Sequence, residues 1–172
     1  MVDAVAFLLL TSVASLPGDA DVSRLPQLFI AACLDGQARL SPGSAEPISF
    51  GALPDDIRQR LGEPASGQVW RLNGSGQAFL YVLDYAGGRN ANRRICGIGS
   101  DELNYRDAAD AVEMRVTGAV YPKSRGSIQW MDPKGGFRAF VTRAGKFNVL
   151  QVNWLSDAER AAAIASYAPI MP

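Results

Sequence analysis

The chain contains no histidine, and this absence narrows the chemistry open to it. Ser-His and Cys-His catalytic arrangements use an imidazole as the general base, so neither is available. Histidine metal sites are excluded for the same reason, and two cysteines are too few for a zinc site made of cysteine alone. We therefore expect no metal and no cofactor, and we assign no catalytic residue.

Net charge and long apolar runs are lacking as well. Seventeen basic residues balance seventeen acidic ones, so no overall field attracts nucleic acid or anionic lipid. The apolar run from Ala4 to Val13 is broken by Thr11 and is too short to cross a bilayer. The sequence thus predicts no membrane span and argues against nucleic acid as the partner.

The first twenty residues have several features of a signal peptide. Their apolar run has the length of a signal-peptide core, and Gly18 and Ala20 supply small residues before a cleavage point. One feature departs from the pattern, because no basic residue precedes Arg24. We interpret residues 1–20 as a signal peptide and residues 21–172 as one periplasmic or secreted domain. The alternative is a buried N-terminal element of a cytoplasmic protein.

Beyond this segment, hydrophobic periodicity predicts four helices and two sets of three strands. Helical spacing predicts a helix from Leu25 through Cys33, a short one over 54–61, one over 105–116 capped by Asn104, and one after a Ser156 capping box. Residues 37–52 are rich in Ser, Gly and Pro and are interpreted as a loop. The predicted strands are the segments QVWRL, AFLYVLD, RRICGI, SIQWM, FRAFVTR and FNVLQVNW.

Short turns between these strands favour antiparallel pairing. The predicted fold is therefore α+β: a single domain with a mostly antiparallel sheet of about six strands, in two three-strand sets, with helices packed on it.

The segment RRICGIGSDELNYRD (93–107) permits two interpretations. A thiolate at Cys96, with Arg94 beside it and a predicted loop over Gly97–Ser100, suggests thiol or phosphate chemistry. However, Glu102 stands where a cysteine phosphatase has arginine and where a dinucleotide-binding loop has glycine. An acid there repels the phosphate that either site must hold.

The second interpretation is a structural disulfide. Cys33 lies on the apolar face of the first predicted helix, and Cys96 shares a strand face with the apolar Ile98. Two cysteines behind a signal-like segment are most simply one bridge. We predict a Cys33–Cys96 disulfide with no catalytic role, and two free buried thiols remain the competing possibility.

Basic residues concentrate between Arg115 and Lys146, where Asp132 is the only acid among seven cations. Basic side chains interleaved with aromatic ones can bind a polyanion, although alternation along the strands turns most of the aromatic residues toward the core. The candidate anion- or partner-binding residues are Arg94, Arg125, Lys134, Arg138, Arg143 and Lys146. The loop over residues 85–92 is a further candidate recognition element.

These observations predict a small exported, non-enzymatic binding domain with an unknown protein or anionic ligand as its partner. Two alternatives stay open. One is an enzyme that uses Cys96 for thiol or phosphate chemistry, and the other is a cytoplasmic polyanion-binding module.

Overall fold

The structure is a computed structural model that describes residues 24–35, 43–74, 76–86, 93–116, 127–132 and 134–167. The predicted signal peptide, most of the 85–92 loop and Arg125 lie outside these residues.

In the part of the chain that the structure describes, seven strands form one antiparallel sheet, and helices pack against it. The strands are β1 Ala45–Ile48, β2 Ser66–Leu72, β3 Ala78–Tyr85, β4 Arg93–Ser100, β5 Ser127–Asp132, β6 Phe137–Ala144 and β7 Phe147–Trp154. The helices are α1 Leu25–Phe29 with a π-helical turn at Ile30–Leu34, α2 Asp55–Leu61 after a 3₁₀ turn at Phe50–Ala52, α3 Tyr105–Arg115 and α4 Asp157–Tyr167. The sheet order is β1-β2-β3-β4-β7-β6-β5, which confirms the α+β class.

The strand missing from the sequence prediction is β1, which lies inside the segment interpreted as a loop. Among the described strands this four-residue strand pairs with β2 alone, and it carries Glu46 and Pro47. Proline and charge are common on edge strands, where one side of the backbone has no strand partner. These residues made the segment resemble a loop in the sequence.

The sheet buries side chains on both faces. We call one the disulfide face, because it carries Cys96 and Ile98 of β4 under α1 and α3. The other is the tyrosine face, which carries Tyr81 of β3 and is covered in part by Ile57 of α2. Strand β4 therefore lies between two hydrophobic cores, with Ile95 facing the second of them. The prediction that Cys96 and Ile98 share a face of the strand is confirmed.

The prediction of a loop at Gly97–Ser100 is wrong, because β4 continues to Ser100 and pairs with β3 and β7 along this stretch. Gly97 and Gly99 leave room for neighbouring side chains and do not form a turn. A Cβ atom at Gly97 would lie 2.4 Å from the Tyr81 hydroxyl oxygen, and one at Gly99 would lie 2.8 Å from Ile57 Cδ1. Close packing on the tyrosine face thus explains the Gly-x-Gly pattern.

The two predicted halves are visible in the topology. Strands β2, β3 and β4 precede α3, strands β5, β6 and β7 precede α4, and the last strands of the two sets pair at the centre of the sheet. Helix α3 begins as predicted, since the Asn104 side chain accepts hydrogen bonds from the amides of Arg106 and Asp107. The α4 capping box is confirmed as well, with reciprocal hydrogen bonds between Ser156 and Glu159.

Candidate functional site

The two cysteines are joined, as the sequence predicts. Cys33 at the end of the first helical segment is bonded to Cys96 in β4, with the two Cα atoms 5.4 Å apart. This separation is within the usual range for disulfides. Both residues are fully buried in the core of the disulfide face, beside Phe29, Leu80 and Val152. Neither sulfur is available as a nucleophile while the bond is intact.

The other parts of the alternative thiol site are not assembled around Cys96. Arg94 is largely exposed, and its Nε lies 3.9 Å from a carboxylate oxygen of Asp84. Arg93 belongs to the opposite face and is paired with Glu159 of α4. Residues 97–100 use their backbone in the sheet and so do not form an anion-binding loop.

The predicted basic residues do not converge into one patch. Lys134 precedes β6 and Lys146 follows it, so about 23 Å of strand separates them. Arg138 and Arg143 lie on opposite faces of β6, because they are five positions apart in a structure of period two. Lys146 is already paired with Asp101 at 3.0 Å, and its Nζ lies 5.0 Å from the centre of the Phe147 ring. A role in binding for this set stays a prediction.

One member of the set, Arg138, lies at the end of a row of polar side chains on the tyrosine face. We call Tyr81, Gln151, Asn153 and Arg138 the polar strip. The Tyr81 hydroxyl donates to Gln151 Oε1 at 3.2 Å, and Gln151 Nε2 donates to Asn153 Oδ1 at 2.7 Å. Asn153 is directly opposite Arg138 in the pairing of β7 with β6. The strip therefore runs across β3, β4, β7 and β6.

Gly97 explains how Tyr81 reaches Gln151. The two residues lie on strands on either side of β4, about 10 Å apart at the backbone. Because Gly97 has no side chain, the Tyr81 ring can cross β4 above it. A larger residue at this position would block the hydrogen bond between the two outer strands.

Burial is uneven along the strip. Asn153 is only 8% exposed, while Gln151 and Arg138 are partly exposed. Arg138 Nε is buried and has no hydrogen-bond partner in the part of the chain that the structure describes. Phe140, also partly exposed, lies next along this face of β6, opposite Gln151. The arrangement combines a cation, two amides and an aromatic ring at the surface of an otherwise apolar face.

Burial also acts on the two tyrosines of this face. It raises the pKa of Tyr81 far above its ordinary value, so the hydroxyl stays protonated and can donate to Gln151. Burial raises the pKa of Tyr85 to about 12. The Tyr85 hydroxyl is buried and has no hydrogen-bond partner among the described residues.

Sequence reasoning identified Arg138 but missed the rest of the strip. The available signal was Gln151 and Asn153 at positions i and i+2 of a strand whose other residues on that face, Phe147 and Val149, are apolar. Amides on a core-facing side of a strand require hydrogen-bond partners. Their partners lie on β3 and β6, and those pairings are set by the tertiary fold.

A shallow groove beside α2 is a weaker candidate. It is lined by Phe50, Gly51, Asp55, Arg58, Gln59, Gly62 and Glu63. Its arginine is paired with Asp55 one turn earlier in the same helix. The charge of this arginine is therefore partly neutralised within the helix itself.

Within the described residues, no cluster of His, Cys, Asp or Glu side chains is arranged to hold a metal ion. None of the described helices is long and apolar enough to cross a membrane. No protein-family model matches the chain, and neither the curated proteins nor the solved structures include a match. The disulfide, the basic residues and the polar strip are therefore the features from which a function can be inferred.

Proposed function

We propose that this protein is a small exported, non-enzymatic domain that binds an anionic ligand or protein partner. In this proposal residues 1–20 are a signal peptide, and residues 21–172 form the mature domain in the periplasm or outside the cell. The single observation that carries the proposal is the buried Cys33–Cys96 disulfide.

The disulfide supports export, because structural disulfides persist in oxidising compartments and are rare in reducing ones. The disulfide also argues against an enzyme that uses Cys96 as a nucleophile. A nucleophile must reach its substrate, and Cys96 is both bonded to Cys33 and fully buried. The same bond argues against the cytoplasmic polyanion-binding module.

The proposed binding surface comprises the basic half of the sheet and the 85–92 loop. Lys134, Arg138 and Arg143 have no carboxylate partner among the described residues, in contrast to Arg94 and Lys146. Unpaired cations on a sheet remain available to an anionic partner. Arg125 belongs to this proposed surface from the sequence alone.

Two measurements on the folded protein test the proposal. One is its reactivity with a thiol reagent, and the other is its binding to a polyanion. We expect no reaction of the folded, non-reduced protein with a thiol reagent. We also expect charge reversal at Arg138 and Arg143 to preserve the circular dichroism spectrum and to weaken binding to a model polyanion such as heparin. Binding should fall with added salt, because the attraction is electrostatic. A reactive low-pKa thiol would restore the enzyme alternative, and salt-independent binding would contradict the electrostatic account.

A further inference from the structure

The polar strip ends in side chains whose hydrogen-bond donors have no acceptor among the described residues. Tyr81 donates to Gln151, and Gln151 donates to the carbonyl oxygen of the Asn153 side chain. That oxygen can accept one more hydrogen bond, whereas the N–H₂ group of Asn153 donates to no described residue. Arg138, directly across the pair of strands, has donors and no acceptor.

Arg93 provides an internal comparison on the same face. It also lies at this end of the tyrosine face, and Glu159 of α4 neutralises it. Arg138 has no such carboxylate among the described residues, and its Nε is shielded from water. Because Arg138 as a whole is partly exposed, a ligand can reach the rest of its guanidinium and supply the acceptor that the described residues lack.

We propose that Arg138 and Asn153 bind a carboxylate group of the ligand, as a more specific form of the binding function proposed above. The guanidinium matches a planar carboxylate in geometry, and the Asn153 amide adds a second donor. One uncompensated positive charge suits a monoanion better than a doubly charged phosphate. Phe140 beside Arg138 offers an apolar surface to the body of the ligand.

Benzoate is the probe, because it joins a carboxylate to an aromatic ring. Benzoate, acetate and inorganic phosphate are titrated into the oxidised protein, and the ¹H–¹⁵N resonances of Arg138 Nε–H and the Asn153 side-chain amide are followed. We expect saturable shifts of both resonances with benzoate, weaker binding of acetate, and the weakest response to phosphate.

Two variants test the two donors separately. Arg138→Gln removes the cation, and Asn153→Asp supplies an internal carboxylate opposite Arg138. Each is expected to weaken benzoate binding by about tenfold or more, because each removes a charge-assisted contact. The matched control is Arg106→Gln, which removes an exposed arginine of α3 and should change affinity by less than about twofold.

A peptide with a free C-terminus and its amidated form distinguish the source of the carboxylate. Tighter binding of the free-acid peptide than of benzoate indicates a peptide terminus, whereas weaker binding of both peptides indicates a small free acid. The proposal is overturned if benzoate shifts neither resonance, if Arg138→Gln and Asn153→Asp both retain wild-type affinity, or if phosphate binds more tightly than benzoate. Such a failure leaves heparin binding and thiol protection unaffected, so it is distinct from a failure of the proposed function.

Discussion

At the residue scale, the tyrosine face depends on a glycine that leaves room for an aromatic ring. Gly97 lies under Tyr81 at the centre of the sheet, and a Cβ atom there would also lie 2.7 Å from the Leu150 carbonyl oxygen. Neither neighbour moves easily, since one is a buried ring and the other is strand backbone. The hydrogen bond from Tyr81 to Gln151 passes over the same position.

We expect Gly97→Ala to lower the free energy of unfolding by about 2–3 kcal/mol, because overpacking of a core displaces side chains and backbone. Urea unfolding measures this change. The matched control is Gly51→Ala, where a new Cβ atom would meet only Ser49 Oγ at 3.9 Å. Equal stability of the two variants would contradict the close contact between Tyr81 and Gly97.

Tyr85 presents a different situation at the same scale, because its hydroxyl is buried without a hydrogen-bond partner among the described residues. Replacing it with phenylalanine removes the cost of desolvating that group. We expect Tyr85→Phe to be neutral or to stabilise the protein by up to about 1 kcal/mol. A clear destabilisation in urea unfolding would show that the hydroxyl has a partner.

The same residue predicts a pH dependence. Since the folded pKa of Tyr85 is raised from 10.0 to about 12, the folded state holds this proton more tightly than the unfolded state. Ionisation of Tyr85 therefore has little effect on the unfolding free energy below pH 10 and lowers it as the pH rises toward 12. We expect unfolding free energy to fall by about 1–2 kcal/mol over this interval, and Tyr85→Phe to reduce the fall. An unchanged pH profile in the variant would contradict burial as the cause.

At the scale of elements, the start of α3 is fixed by one side chain. Asn104 Oδ1 accepts from the Arg106 amide at 2.8 Å, and the helix then places Ala108 and Val112 on the core of the disulfide face. We expect Asn104→Ala to cost about 1 kcal/mol. Asn104→Asp is the control, since it keeps the acceptor oxygen. Equal loss of unfolding free energy in both variants would indicate that the cap is unimportant.

The sequence predicted the elements with strong local signals and missed those defined by contacts. The Asn104 cap and the Ser156–Glu159 box are local patterns, and both are present. By contrast, β1 contains Pro47 and was interpreted as a loop, although pairing with β2 holds it in the sheet. Propensity alone cannot identify such an edge strand, because its partner comes from a distant segment.

The same limit applies to the candidate site. Glycine at position 97 indicates a loop as readily as a contact in a strand, and only the β3–β4 register places Tyr81 across from it. Cross-strand neighbours such as Arg138 and Asn153 are set by the pairing of β6 with β7. Arg138 could be predicted as a candidate from the local charge of the sequence. The rest of the polar strip could not, because its members are brought together only by the pairing of the strands.

At the scale of the whole molecule, the disulfide joins the first helical segment to the central strand across 63 residues of sequence. The bond closes a loop of that length in the unfolded chain and so lowers its conformational entropy. In the chain-entropy model this raises the free energy of unfolding by on the order of 4 kcal/mol. We expect the double variant Cys33→Ala, Cys96→Ala to lose up to about 4 kcal/mol in urea unfolding while retaining benzoate binding at the polar strip. Loss of binding in a variant that remains folded would show that the bond also shapes the site.

We propose that the mature protein is exported and oxidised at Cys33–Cys96. Intact-mass analysis tests it most directly, on native protein recovered without reductant, unfolded and treated with an alkylating reagent. We predict a chain that begins at Asp21 and carries no alkyl group on either cysteine. A chain that begins at Met1 or Val2 with both cysteines alkylated would contradict the claim.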